Sequence, residues 1–140
     1  MRFFVLAGRV LYAAIFVMMS LGHFSRPVIA WAASQGVPLA SVTVPLSGLV
    51  ALAGGLSVML GFRARIGAAL LVLFLVPVTV MMHAFWAVPD PMMAQIQMMM
   101  FMKNISMLGG ALVIAYFGAG PLSLDARTPV TAASPMSVAA

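Results

Sequence analysis

The stretch FMKNISMLGG, residues 101–110, sets Lys103 beside Asn104 among residues suited to a hydrocarbon layer. An ammonium at the centre of a bilayer costs at least about 2.5–3.5 kcal/mol on insertion scales. The sequence holds two acidic residues, Asp90 and Asp125, and both fall at the ends of apolar segments rather than inside them. Lys103 lies about ten residues into its segment, roughly 15 Å from the end, and its stem of about 6 Å does not reach water easily. Either its proton affinity is lowered or it binds carbonyls, water or a ligand inside a bundle. A lysine or imidazole donor to a quinone oxygen would stabilise the reduced anion and supply a proton.

Other polar residues can be placed beside it. Gln97 precedes Asn104 by seven residues, two helical turns, and so shares nearly its face. His23 and His83 fall near the outer ends of their segments. Each is an interfacial hydrogen-bonding residue, a proton carrier or a holder of a quinone carbonyl, since imidazole titrates near neutral pH. Trp31 and Trp86 read as belt residues at the membrane surface. A polar pocket opening outward, built from His23, His83, Trp86, Gln97, Lys103 and Asn104, is the expected site. Arg9 either snorkels to headgroups or faces the bundle, capping carbonyls or holding an anionic lipid.

Several chemistries are unsupported. There is no cysteine, which excludes disulfide relay, iron–sulfur ligation and thiolate metal sites within this chain. The 14 methionines suit Cu(I) with histidine, but consecutive ones point in different directions and methionine also fills cores, so no metal is assigned. No nucleotide loop, nucleophile–base pair or paired carboxylates occur, and no catalytic residue is assigned.

The elements that must position these residues follow from composition. The 140 residues are 64% hydrophobic and 6% charged, against about 25% charged in soluble domains, and the mean hydropathy is +1.17. Apolar segments at about 4–24, 42–62, 66–86 and 93–117 are each long enough to cross a bilayer. They predict an all-α, polytopic membrane four-helix bundle over residues 1–125, with 126–140 as a disordered cytoplasmic tail. The first segment reads as a retained span rather than a signal peptide, because its apolar core is too long. Pro77 should kink the third. A loop carrying Gly36, Pro38 and Pro45 is expected after the first. Rows of small residues, Ala53–Ser57–Gly61, Ser47–Ala51–Gly55 and Ser106–Gly110, predict close helix approach.

Arg63 and Arg65 in the GFRARIG turn place it, and with it both termini, in the cytoplasm. The net charge of +5 comes from seven basic residues with no run to follow a nucleic acid, so it sets topology.

The segments GRVLYAAIFVMMSLGHF (8–24), GLVALAGGLSVMLGFRARIGAALLVLFL (48–75), HAFW (83–86), QMMMFMKNISMLGGALVIA (97–115) and GAGPLSLD (118–125) resemble the DoxX family of small bacterial membrane proteins. Arg9, His83, Trp86, Lys103, Asn104, Gly109 and Gly110 match by position, while His23 stands where many relatives carry lysine. The resemblance implies a multi-pass protein of the bacterial inner membrane, often described as an oxidoreductase subunit and linked to quinone-reducing complexes. The function expected is an accessory subunit of a quinone-linked redox complex. It would bind quinone or lipid in the periplasm-facing pocket through Lys103, Asn104, His83, Trp86, Gln97, His23 and Arg9. Membrane lipid and a protein partner, or further copies of this chain, are the expected company, with no nucleic acid. The rival reading is a structural scaffold in which Lys103 and Asn104 fix helix register. A carrier is a third, disfavoured because no inverted repeat is visible.

Overall fold

Asp90 and Pro91 start the longest helix. The Asp90 carboxylate accepts from the Met93 backbone N–H at 2.8 Å, and the proline at the first turn has no N–H to leave unbonded. The same proline device opens a nine-residue helix after Ser25. The computed structural model describes residues 1–127. The helices are α1 (Arg2–Ser20), continued by a short 3-10 turn Leu21–Phe24, α2 (Arg26–Ser34), α3 (Ala40–Leu60), α4 (Ala64–Met82) and α5 (Pro91–Phe117). Short 3-10 turns follow at Phe85–Ala87 and Asp125–Arg127. Of the expected tail, residues 128–140 lie outside the described residues.

Among the described residues, four stretches are long and apolar enough to cross a membrane: Arg2–Phe24, Ala40–Leu60, Ala64–Ala87 and Pro91–Phe117. The protein is an all-helical multi-pass membrane bundle, with no strand among the described residues. The 27 residues of α5 give a rod of about 40 Å, longer than the roughly 30 Å hydrocarbon layer, so α5 tilts or projects.

Two local features differ from the sequence reading. The connection after α1 is helical: α2 lays Val28, Ile29 and Ala32 against Ala40 and Val44 of α3, and so covers one end of the bundle. Pro45 is inside α3 and not in that connection. The third segment leaves the helix at His83 (φ −127, ψ 38) and turns through Phe85–Ala87. Pro77 lies within α4, which continues past it. Two residues on, the Thr79 hydroxyl donates to the Leu75 carbonyl at 2.6 Å, an internal partner for a polar group that lipid could not satisfy.

Packing runs in a chain: α1 on α3, α3 on α4, α4 on α5. The core comprises Ala13, Phe16, Val58, Ala68, Leu71, Leu75 and Ala111, so small side chains let the axes close. The tightest crossing is α3 on α4. A Cβ built on Gly54 would stand 2.9 Å from the Gly67 carbonyl oxygen, and one on Gly67 would collide with Ser57. The row Ala51–Gly55 is buried as the spacing suggests, whereas Ala53 of the other row is exposed. The α1 and α5 backbones are not closely paired, and this leaves one flank of the bundle open.

Candidate functional site

Polar side chains gather in three places rather than one. At the end that carries the 61–64 turn, Arg9 is buried at 5% exposure and donates to the carbonyls of Ala119 (2.6 Å) and Leu122 (3.0 Å). Its Nε is buried without a partner among the described residues. Of the two readings of Arg9, the inward, carbonyl-capping one is the geometry found. Residues 118–127 thereby fold back as a strap. Asp125 N–H donates to Gly61 O at 2.8 Å, and its carboxylate accepts from the Arg63 and Ala64 amides at 2.6 and 3.0 Å. This caps α4, where a negative charge meets the positive end of the helix dipole. Sequence reasoning left Asp125 as a boundary residue; an acid just after a glycine-rich helix end was the available signal.

The second place is the open flank. Between α1 and α5 lies a cleft of about 90 Å³, walled by Phe16, Met19 and Ser20 of α1, Met107 and Lys103 of α5, and His23. Ala51 of α3 and Phe74 of α4 also line it. The Lys103 ammonium donates to the Met100 sulfur at 3.4 Å, a weak contact for a full charge. Lys103 stands about 18 Å from the Pro91 end of its helix, near mid-span. The His23 Nδ1–H donates to the Met19 carbonyl at 3.2 Å, and its ring meets Phe74 edge-on. Below the cleft, Tyr12 spans the two helices: its hydroxyl donates to Met107 O at 2.7 Å and its ring lies against Gly110. Tyr12 was not singled out from the sequence, although a phenol inside an apolar segment calls for a polar partner.

The third place is the far end. His83 Nδ1 donates to the Gln97 side-chain oxygen at 2.7 Å, tying α5 to the end of α4. Trp86 is exposed and packs edge-to-face with Phe85 and Phe101. Asn104 is buried at 4% exposure, and its side chain makes no hydrogen bond among the described residues. The expected single pocket is therefore divided: His23 and Lys103 share the cleft, His83 and Gln97 pair with each other, and Trp86 and Arg9 stand apart.

These features can be set beside known proteins. The Surfeit locus protein 4 homolog of Schizosaccharomyces pombe is 29% identical over 129 residues, covering 91% of this chain and 38% of that protein. Inner membrane protein YphA of Escherichia coli is 28% identical over 95 residues, 68% of this chain and 67% of the relative. Inner membrane protein YqjF of Escherichia coli is 28% identical over 123 residues, 86% and 88% of the two chains. No solved structure matches. The DoxX resemblance is overturned: the family model that matches is that of the SURF4 family, across residues 1–129. The segments that suggested DoxX are largely aliphatic, and aliphatic runs are what lipid demands of any span. Matched over nearly its whole length, this four-span membrane chain belongs to the SURF4 family.

Proposed function

We propose that the protein is a non-enzymatic membrane subunit that holds the oxygen-bearing edge of a membrane-dissolved amphiphile, of the quinone or lipid class, in the cleft between α1 and α5. The observation that carries this reading is Lys103: a cation near mid-span, lining a cleft, with a methionine sulfur as its hydrogen-bond acceptor. A charge so placed gains from any oxygen that reaches it. The cleft, about 90 Å³, is smaller than the roughly 150 Å³ cavity that holds a benzene ring. It admits a carbonyl edge or an ester linkage, and the body of the ligand lies outside along the lipid. The Arg63–Arg65 turn lies in the cytoplasm in this reading; the supporting feature is the excess of arginine at that end.

A scaffold is the second reading, and one feature favours it. Ser106 and Gly109 are exposed on α5, and a Cβ on Gly109 would meet nothing within 4 Å. A helix of another subunit could approach closely there. Native mass spectrometry of protein taken gently from its own membranes separates the two, with wild type beside Lys103→Met. A quinone or lipid carried by wild type and lost from the variant supports the cleft. A protein partner retained by both, with no small ligand in either, replaces it with the scaffold.

A further inference from the structure

The strap at the arginine-rich end leaves two cations unused. Its polar groups are taken up internally: Arg9 holds the Ala119 and Leu122 carbonyls, Ser123 Oγ donates to Gly120 O at 2.7 Å, and both Asp125 oxygens cap α4. Arg63 and Arg65 are exposed, and neither guanidinium donates a hydrogen bond among the described residues. Arg63 lies over the Phe62 ring at 5.7 Å. Between these arginines and the strap is a bowl of about 470 Å³, with Gly118 on one side and Ile66 and Phe117 on its wall. The depression is shallow and open, a shape that suits a headgroup at a membrane surface rather than an enclosed small molecule.

We propose that this bowl is a binding site for the phosphate headgroup of an anionic phospholipid, with Arg63 and Arg65 as its donors. Planar guanidinium forks match phosphate oxygens, often bidentately. Ile66 and Phe117 are exposed apolar residues at the ends of spans, where acyl chains would lie. A free phosphate ion would use the same donors but not that wall. The Asp125 charge faces the bowl as well, yet its oxygens already accept from two amides, so the two arginines leave a net positive site. Basic pockets of this kind between spans recognise lipid headgroups. The site is distinct from the cleft at Lys103 and does not depend on it.

The test is native mass spectrometry of the full chain in detergent with phosphatidylglycerol or phosphatidylcholine added. Arg63 has a left-handed backbone (φ 48), which asparagine tolerates, so Arg63→Asn with Arg65→Gln removes both charges without new strain. Wild type should retain phosphatidylglycerol in preference to phosphatidylcholine, and the double variant should lose that preference by roughly 30-fold with an unchanged melting temperature. Arg65→Glu alone, at an exposed position outside the strap's bonds, should act in the same direction. Equal retention of the two lipids by wild type, or an undiminished preference in both arginine variants, overturns the proposal. Displacement of phosphatidylglycerol by millimolar inorganic phosphate also overturns it, in favour of a free-phosphate site.

Discussion

The Tyr12 hydroxyl on α1 donates to the Met107 carbonyl on α5 at 2.7 Å, bridging the open flank where the two backbones are not closely paired. Replacing Tyr12 with Phe removes the bond and keeps the ring against Gly110. Interhelical hydrogen bonds in lipid average about 0.6 kcal/mol and reach about 1.7 kcal/mol. Tyr12→Phe should therefore lower stability by roughly 1 kcal/mol in a detergent unfolding titration. A cysteine introduced at Met107 should then label faster with a lipid-soluble maleimide in the Phe background.

The α3–α4 crossing makes a sharper demand. At Gly54 a methyl group meets the Gly67 carbonyl, which is backbone and cannot rotate away. Gly54→Ala should cost about 2 kcal/mol or more by forcing the helices apart. Gly109→Ala, with open space around it, should change the melting temperature little or raise it, since alanine is about 1 kcal/mol the better helix former. Equal losses for the two would contradict the packing described.

Much of this architecture was legible in the sequence, for physical reasons. Lipid forces each span to be a continuous apolar run, so the four spans announced themselves. The buried row of α3 also showed in its spacing, at Ala51 and Gly55. Helix α2 was hidden because Gly36, Pro38 and Pro45 suggested a loop after the first segment, although Pro27 sits in the first turn of α2, where proline is no obstacle. The candidate site was legible only as a list of residue types. Which of them face one another depends on helix rotation, and aliphatic spans encode that weakly. His83 and Gln97 were placed at one end and prove to be bonded. Lys103 and His23 share a cleft, whereas Trp86 and Arg9 belong elsewhere. The family assignment failed for a related reason: apolar runs carry little identity.

Arg9 supports the strap from inside the bundle. Arg9→Met keeps most of the packing but strands two carbonyls that now accept from the guanidinium. A lost bond to a charged donor costs about 1.5–3 kcal/mol. Hydrogen exchange of residues 118–127 should accelerate by at least about tenfold, consistent with 1.4 kcal/mol per decade. Exchange in α4 and α5 should change far less. Unaltered exchange in the strap would mean that the Asp125 cap holds it alone.

Asn104 offers the last test. It is almost fully buried on α5, and no side-chain bond to the described residues accounts for its amide. The amide's polar atoms are not sealed off, since Arg9 Nε is the one fully enclosed side-chain atom without a partner among the described residues, so the cost in detergent falls below the about 1–3 kcal/mol of a fully buried orphan. If the isolated chain is the whole of its environment, Asn104→Leu should raise the melting temperature in detergent. In native membranes the same substitution reports on what surrounds Asn104 there. A variant stabilised in detergent yet destabilised in its own membrane would place a polar partner from outside the chain, a lipid or another subunit, against this residue. A gain in both settings would mark Asn104 as a polar group that the fold carries without a bond, and would leave Lys103 as the polar residue of α5 that requires a ligand.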